Sequence, residues 1–358
     1  MKVLREMPPQ RLQQLLAAFP RLRLAVIGDF FLDKYFDIEP RLGEPSVETG
    51  KTAHQVMAIR HSPGVAGTVV GNLAALGAGT LHAIGLTGDD GDAFELRRDL
   101  AALGCHTEHL HRVPGRMTCT YLKPQDRNDP SLTGQHSRYD VKNRAAPPPG
   151  AQREVLRSLD ALLPELDAVI VADQAEERDC GVITAMVRDG LADAVGRYPG
   201  VVFWADSRRR IHEFRGLIIK PNQYEAVSHD NPLPEDKVCL EQVIAALPTL
   251  QAIAGAGVCV TRGSAGMVVA DDEITVVPGV QVQGPVDPTG AGDSATAGAV
   301  LALSAGANLP EAALVGNHVA SITVQQLATT GTARPEQLLP RLALWQSQQE
   351  TVDGGEPF

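Results

Sequence analysis

The segment DPTGAGDSATAGAVLALSAGA, residues 287–307, joins a glycine turn to a run of small residues. The run predicts a helix over about 293–305, and the turn before it has glycine at two of three positions, Gly290 and Gly292. Consecutive main-chain amides without bulky side chains at a helix N-terminus form a site for an anion. Such amides can stabilise the negative charge that phosphoryl transfer concentrates on the moving group.

Asp293 stands at the end of this turn. A carboxylate fixed there can accept the proton of a hydroxyl group as its oxygen attacks phosphorus. The alternative is an ordinary capped turn, because Asp is also favoured at the N-cap of a helix. The turn alone does not decide between the two, so the rest of the chain has to supply further signals.

Outside the turn, apolar runs that predict strands alternate with segments of helical spacing. The strands are expected at 24–27, 81–86, 168–172, 201–205, 217–220, 258–261 and 267–270, and the helices at about 8–18, 68–76, 92–103, 151–163, 179–195, 236–247 and 310–327. This alternation predicts a mainly parallel sheet with right-handed crossovers. Aromatic residues make up only 4% of the chain, which leaves a core of Ala, Val, Leu and Ile, suited to a sheet buried on both faces. We therefore expect a three-layer α/β/α sandwich.

The expected organisation is a single large domain with short extensions. An N-terminal helix occupies 1–22, the large domain 23–345, and a C-terminal tail 346–358. Two irregular segments, 33–62 and 113–141, contain short β-prone pieces and are expected to form a small accessory sheet that acts as a lid.

The net charge of −11 argues against a general nucleic-acid binder, which needs a basic surface. The N-terminus lacks a signal-peptide pattern, and no run reaches the ~18 apolar residues of a membrane span. We therefore expect a cytoplasmic protein without membrane or nucleic-acid partners. The five cysteines are scattered and contain no CxxC pair, so they indicate neither a zinc site nor a disulfide framework.

Two further motifs follow predicted strands. KPNQYE (220–225) places Asn222 and Glu225 three residues apart, and TRGSAG (261–266) is a second glycine loop. Ligand sites of open α/β sheets collect where strands end, and an Asn and a Glu there can organise magnesium-bound water near phosphates. Taken alone, Asn-x-x-Glu would be a helix-capping pattern and the glycine loop a hairpin turn.

Together these motifs resemble the PfkB, or ribokinase-like, family of carbohydrate kinases. DPTGAGD is similar to the family signature D-x-T-G-A-G-D, KPNQYEA (220–226) to K-P-N-x-x-E-A, and VTRGSAGM (260–267) to T-R-G-x-x-G-M. The resemblance covers about residues 22–340. Within the family the chain most resembles D-glycero-β-D-manno-heptose 7-phosphate kinases, in three segments: GDFFLDKY (28–35), GQHSRYDV (134–141) and ADSRRRIHEFRGLIIKPNQYEA (205–226). Bifunctional heptose kinases add a nucleotidyltransferase with an H-x-G-H motif. This chain has no such motif, so only the kinase half is implied.

The resemblance implies a role for each matching residue. Asp293 becomes the catalytic base, with Gly290, Ala291 and Gly292 as the anion hole. Asn222 and Glu225 orient Mg²⁺ and phosphates, with Glu225 reaching the metal through water. The residues bordering ATP are Thr261, Gly263 and Gly266, with Asn317 near the adenine. The sugar-binding residues are Asp33, Gly64, Thr68 and Arg138. Asp287 and Thr289 help to hold a monovalent cation, K⁺.

One departure from the family concerns the sugar side. Where the family has G-G-A-G-N, this chain has Gly64-Val65-Ala66-Gly67-Thr68. Val adds bulk where the backbone should approach the ligand, and Thr lacks the donor and acceptor of an amide. The segment QAEERDCG (174–181) also replaces the family's D-Y-x-K-G. Because the ATP side is intact, these changes indicate a kinase with a changed acceptor.

The expected function is ATP-dependent phosphorylation of a sugar or sugar phosphate, with heptose 7-phosphate as the leading candidate. An acceptor phosphate would need cations, and the candidates are Lys123, Arg138, Arg208, Arg209 and Arg210; a solvated turn is the alternative for the three consecutive arginines. Two other functions stay open: a nucleotide- or sugar-binding sensor without turnover, and a nucleoside kinase. A homodimer through the lid is also expected, because unpaired sheet edges seek partners.

Overall fold

The computed structural model describes residues 1–129, 132–327 and 330–353. The strands are β1 (Lys2–Val3), β2 (Arg23–Gly28), β3 (Phe30–Ile38), β4 (Glu44–Pro45), β5 (Thr52–Ala53), β6 (Val56–Val65), β7 (Thr80–Thr87), β8 (Cys105–His106), β9 (Leu110–Arg112), β10 (Thr120–Asp126), β11 (Tyr139–Val141), β12 (Ala168–Asp173), β13 (Val202–Ser207), β14 (Ile218–Ile219), β15 (Val258–Thr261), β16 (Met267–Ala270) and β17 (Ile274–Val277).

The helices surround these strands. They are α1 (Pro9–Ala18), α2 (Ala66–Ala75), α3 (Gly91–Ala102), α4 (Pro149–Leu162), α5 (Ala185–Arg197), α6 (Gln223–Ala226), α7 (Leu240–Ala254), α8 (Ala291–Ser304), α9 (Leu309–Thr323) and α10 (Pro335–Asp353). In the described parts of the chain, none of the helices is both long and apolar enough to cross a membrane.

The large sheet has the strand order β1–β17–β16–β15–β14–β13–β12–β2–β7–β8, and β9 pairs with β7. Its strands run parallel except β16, which is antiparallel to both of its neighbours. In a sheet of this kind the carboxyl ends of the parallel strands meet at one edge. That edge carries the residues that follow β2, β12, β13 and β14.

Alternate residues of the central strands enter two separate cores. On β2, Leu24 and Val26 belong to one apolar cluster, which includes side chains of α1, α2, α8, α9 and α10. Ala25 and Ile27 belong to the other, with side chains of α4, α5 and α7. Because successive side chains of a strand point to opposite faces, the sheet is covered by helices on both sides. The expected three-layer α/β/α fold is confirmed.

A small second sheet has the order β11–β10–β3–β6. β10 runs parallel to β3, whereas β6 and β11 are antiparallel to their neighbours. Its strands come from the two segments expected to form the accessory sheet, although β3 already begins at Phe30. Residues 130 and 131 of the second segment lie outside the described residues.

Helices α5 and α10 differ from the expected organisation. Helix α5 begins at Ala185 and not near 179, because Thr184 caps it by accepting a hydrogen bond from the Val187 amide. Helix α10 lies in a region for which no helix is predicted, and it continues past residue 346, where the tail is expected to begin. Residues 354–358 of that tail lie outside the described residues.

Candidate active site

The glycine turn begins helix α8. Gly290 is the N-cap residue, with a left-handed φ of 74°, which glycine adopts without strain. Ala291 donates its amide to the carbonyl of Pro288 at 3.1 Å, so that amide is committed to the turn. The first amides of a helix have no carbonyl four residues earlier to bond to. The amides of Gly292 and Asp293 are therefore better placed than the amide of Ala291 to donate hydrogen bonds to an anion at this turn. Of the residues expected from the sequence to form the anion hole, Ala291 thus contributes least.

The turn is closely packed on two sides. A β-carbon at Gly290 would lie 3.2 Å from the methyl group of Thr68, which is buried on α2. A β-carbon at Gly292 would lie 3.5 Å from Nζ of Lys220, at the end of β14. The glycines therefore let two other elements approach the N-terminus of α8, and they bring Thr68 beside the expected phosphoryl site.

Lys220 forms an ion pair with Asp206, with 2.9 Å between Nζ and Oδ2. Only 5% of the lysine side chain and 15% of the aspartate side chain are exposed. Neither residue has a role predicted from the sequence motifs. Each directly follows an apolar run that predicts a strand, and this position was the available signal.

Asp293 lies within the field of this pair. Burial raises the pKa of Asp293 to about 7, the negative charge of Asp206 adds to the rise, and Lys220 opposes it. Burial would lower the pKa of Lys220, but the neighbouring carboxylates raise it above its ordinary value, so the lysine stays charged. Asp293 can thus take up a proton near neutral pH, as a general base must.

Asn222 and Glu225 form a capping box at the start of α6. The side chain of Asn222 accepts hydrogen bonds from the amides of Tyr224 and Glu225, and Glu225 Oε2 accepts the amide of Asn222 at 2.8 Å. These are the contacts that the helix-capping interpretation of Asn-x-x-Glu predicts. Burial raises the pKa of Glu225 to about 7, and the charge of Asp206 adds to the rise. Glu225 thus belongs to the same acidic cluster as Asp293.

Asp33 is buried on β3 and faces Lys123 of β10, with 2.9 Å between Oδ1 and Nζ. A β-carbon at Gly64 would lie 3.1 Å from Asp33 Oδ2, so the glycine keeps the space beside the carboxylate open. The charge of Asp33 also contributes to the raised pKa of Asp293. The predicted sugar-binding residues Asp33, Gly64 and Thr68 thus approach the predicted base from the side of the small sheet.

Val65, between β6 and α2, has φ 58° and ψ −112°. A β-branched residue rarely adopts a positive φ, and this costs on the order of 1–3 kcal/mol. The family has glycine at this position, so the backbone keeps a glycine-like conformation although the residue has changed. The strain lies one residue before the helix that carries Thr68.

The second glycine loop connects β15 to β16. Gly263 and Gly266 have positive φ values of 56° and 88°. A β-carbon at Gly266 would lie 2.3 Å from the amide nitrogen of Gly279, whereas one at Gly263 would meet no atom within 4 Å. Thr261 joins this loop to the neighbouring strand end by donating its amide to the carbonyl of Pro221 at 3.0 Å. The loop therefore leaves an open surface at Gly263 close to the capping box.

Asn317 is buried on α9, where its side-chain amide donates to the carbonyls of Val277 and Pro278 at 3.2 and 3.3 Å. It supports the segment that packs against the second glycine loop.

The two residues predicted to hold K⁺ are bonded to each other: Asp287 Oδ1 accepts a hydrogen bond from the amide of Thr289 at 3.0 Å. Asp287 itself donates its amide to the carbonyl of Val324. Both contacts hold the loop before α8.

The five cations suggested for an acceptor phosphate are all paired with carboxylates. Arg210 is not available to an acceptor phosphate, because it is buried against Asp173 with 2.8 Å between Nη2 and Oδ1. Arg209 contacts Asp230 and Asn231, outside the cavity described below. The other pairs are Arg138 with Asp140, Arg208 with Glu176 and Lys123 with Asp33.

A narrow cavity lies between the small sheet and the carboxyl ends of β2 and β12. Phe31 and Tyr121 line it from the small sheet, and Asp29, Gln174 and Glu176 from the large sheet. Tyr121 is the register partner of Asp33, and Phe31 lies two residues before Asp33 on the same face of β3. The cavity therefore lies beside the strand positions next to Asp33, although Asp33 and Asp293 are not among the residues that line it.

Residues 202–336, which contain the glycine turn, the capping box and the second glycine loop, match the sequence profile described as pfkB family carbohydrate kinase. Over these residues, which are less than half of its length, the chain is similar to pfkB family carbohydrate kinases. The match agrees with the sequence motifs, which predict a phosphotransferase that acts on a sugar hydroxyl.

Among curated relatives, the chain is 30% identical over 333 residues to the bifunctional protein HldE of Shewanella sp. strain MR-4, covering 92% of this chain and 65% of that protein. It is 32% identical over 326 residues to HldE of Shewanella amazonensis, covering 90% of this chain and 64% of that protein. The chain thus spans about 65% of the length of the curated relatives that it matches.

Solved structures support the fold. Arabidopsis thaliana ribokinase, complexed with ribose and ATP, has a TM-score of 0.64 at 19% identity and covers 90% of this chain and 98% of its own. Phosphofructokinase-2 from Escherichia coli has a TM-score of 0.62 at 18% identity and covers 90% of this chain and 99% of its own. The expected ribokinase-like architecture is therefore confirmed.

Proposed function

We propose that this protein is a pfkB-type kinase that transfers the terminal phosphoryl group of ATP to a hydroxyl of a sugar or sugar phosphate, with Asp293 as general base. The observation that supports this most is the meeting of the glycine turn, Lys220 and Asp293 at one strand edge. The base takes the acceptor proton as the hydroxyl attacks, and the amides at the start of α8 stabilise the charge on the transferring group. The positive charge of Lys220 partly compensates the negative charges of Asp206, Glu225 and Asp293.

ATP fits the side formed by the second glycine loop, because Gly263 leaves open space and a ribokinase with this fold is described with ATP. We propose that Thr261, Gly263, Gly266 and Asn317 shape this side. Asp206, Glu225 and Asp293 bring three carboxylates around one lysine, an excess of negative charge that suits Mg²⁺. Mg²⁺ would be held near Glu225 through water and would neutralise phosphate charge.

K⁺ would lie at Asp287 and Thr289, as the motif suggests. Because the reaction consumes ATP, we propose the cytoplasm as its location.

For the acceptor, Asp33 provides a buried carboxylate that no side chain at Gly64 crowds, which suits a sugar hydroxyl. The resemblance to heptose 7-phosphate kinases and the identity to HldE make heptose 7-phosphate the first candidate. The altered Val65 and Thr68 favour an acceptor that differs from the family's. The small sheet would act as the lid that excludes water, so that ATP is not hydrolysed.

The experiment is ADP release measured over a panel of heptoses, hexoses, pentoses, their phosphate esters and nucleosides. A kinase gives acceptor-dependent ADP and a phosphorylated product, and the best acceptor separates a sugar kinase from a nucleoside kinase. ATP binding without turnover on any acceptor would favour the sensor function, which Val65 and Thr68 support and the preserved glycine turn opposes.

We also propose a homodimer through the small sheet. Strand β6 is an edge strand, and its outer positions carry exposed apolar side chains, with Met57 51% and Ile59 53% exposed. Exposed apolar edge strands favour pairing with another chain.

A further inference from the structure

We propose that Gln348, on the last helix α10, is a positioning residue that fixes the second glycine loop for ATP. The inference rests on the kinase activity proposed above, because it takes that loop as one side of the ATP site. It goes further by giving a role to a helix that the sequence does not predict. Three contacts in series support it: Gln348 with Gln281, Gln281 with Ser264, and the close packing of the two segments that these contacts join.

Gln348 is bonded at two points to the main chain of Gln281. Its Oε1 accepts the amide of Gln281 at 3.0 Å, and its Nε2 donates to the carbonyl of the same residue at 2.8 Å. Gln281 lies in residues 278–283, which follow β17 without regular secondary structure. A side-chain amide that pairs with both the N–H and the C=O of one residue does what a neighbouring strand does in a sheet. The main chain at Gln281 is therefore held by α10.

The side chain of Gln281 continues the connection to the second glycine loop. Its Nε2 donates to the carbonyl of Ser264, inside that loop, at 2.9 Å. The two segments are also in close contact. A β-carbon at Gly266 would lie 2.3 Å from the amide nitrogen of Gly279, and one at Gly279 would lie 2.3 Å from the carbonyl oxygen of Ser264. The loop thus packs on the segment that α10 holds, so a displacement of that segment must displace the loop.

The start of the same segment is fixed by two other side chains. Trp345 Nε1 donates to the carbonyl of Pro278 at 2.9 Å, and Asn317 Nδ2 donates to the same carbonyl at 3.3 Å. Trp345 is fully buried, one turn before Gln348 on α10. Gln281, by contrast, is exposed. Loss of the Gln348 contacts should therefore loosen the part of the segment that holds the loop and leave its buried start in place.

A loosened loop should weaken the binding of ATP and leave the acceptor side unchanged. If the loop has its binding conformation for only a fraction of the time, the apparent dissociation constant of ATP rises by the inverse of that fraction. Each hydrogen bond of this kind changes such an equilibrium by roughly two- to tenfold. On the acceptor side, the contact of Asp33 with Lys123 involves neither α10 nor residues 278–283.

The test compares the KM for ATP, the KM for the best acceptor and kcat in the wild type and in three variants. Gln348→Met removes both bonds to Gln281 and keeps a side chain of similar length. Gln281→Met removes the bond to Ser264 and leaves α10 unchanged. Gln346→Met is the matched control, because Gln346 Nε2 donates to the carbonyl of Met7 and so joins the same helix to the N-terminal segment. Thermal unfolding of each variant shows whether it folds.

We expect Gln348→Met and Gln281→Met each to raise the KM for ATP by roughly three- to tenfold, with kcat and the KM for the acceptor within about twofold of the wild type. Because both act through one series of contacts, the double variant should raise the KM for ATP by less than the product of the single effects. A folded Gln348→Met variant with an unchanged KM for ATP overturns the proposal, and so does an equal rise in Gln346→Met. If Gln348→Met does not fold, Gln281→Met decides in the same way.

Absence of turnover with every acceptor would count against the proposed kinase function and not against this inference. Calorimetric titration of ATP with Mg²⁺ into the wild type, Gln348→Met and Gln346→Met then decides, because binding needs no turnover. Weaker binding to Gln348→Met alone supports the proposal, and equal binding to all three overturns it. A wild type that binds no ATP overturns both this inference and the proposed ATP site.

Discussion

Lys220 and Asp206 form an ion pair of 2.9 Å at the ends of two neighbouring strands of the large sheet. Through this pair, one positive charge compensates a cluster that also contains Glu225 and Asp293. The pair therefore connects the stability of the strand edge to the protonation of the proposed base.

Replacing Lys220 by Met should lower the free energy of unfolding by about 3–5 kcal/mol at pH 8, because it leaves buried carboxylates without a partner. Burial already raises the pKa values of Asp293 and Glu225 to about 7. Protonation of these groups removes the repulsion, so part of the loss should return at pH 6. Urea unfolding at both pH values measures this. Lys2→Met, which breaks an exposed pair with Glu273, is the control and should cost less than about 0.5 kcal/mol. Equal losses at the two pH values would contradict the account.

The pH dependence of activity should follow the ionisation of Asp293. The base works only as a carboxylate, and burial raises its pKa to about 7. Thus kcat/KM should fall tenfold per pH unit below about 7 and level off above it. The pKa of Glu225 is raised to a similar value, so Glu225→Gln is the control: its kcat/KM should still fall below about pH 7. Lys220→Met should move the limb to higher pH. A profile that stays flat down to pH 5 would show that Asp293 is not the titrating base.

The Val65→Gly variant should be more stable than the Val65→Ala variant. The positive φ of 58° strains any side chain, and glycine relieves the strain at the cost of a more flexible unfolded state. We expect Val65→Gly to exceed Val65→Ala by about 1 kcal/mol in free energy of unfolding. The reverse order, which is usual where φ is negative, would show that the residue is not strained.

The edge strand β6 predicts the oligomeric state. Ile59→Lys should convert a dimer to a monomer without a large change in thermal stability, because the side chain is 53% exposed in the single chain. Sedimentation velocity measures the state. Lys51→Ala, at an exposed position outside β6, serves as a control. A wild type that is monomeric at micromolar concentrations would rule out this interface.

The sequence predicts the central part of the fold well, because fully buried strands such as β12 and β15 read as short apolar runs between helices. It does not reveal the small sheet's length, since β3 and β6 mix charged and apolar residues without regular alternation and β6 contains Pro63. Helix α10 is hidden by prolines at its first position and at Pro340.

For the site, motif spacing selects Asp293, Asn222 and Asp33, because these residues follow predicted strands or turns. It assigns no role to Asp206 or to Lys220, the first residue of KPNQYE, because their roles depend on a contact between two strand ends. Nor can it show that Arg210 is buried against Asp173, since an arginine run reads as a solvated turn until the fold is known. Pairing of charges is a tertiary property.

The most direct test of the central claim is the rate of acceptor-dependent ADP release by Asp293→Asn, measured beside the wild type on the best acceptor with saturating ATP. The account predicts a loss in kcat on the order of 10²-fold or more, with ATP binding kept and the free energy of unfolding not reduced, because the amide removes a buried negative charge near Asp206. A folded Asp293→Asn variant that retains more than about a tenth of the wild-type rate would contradict it.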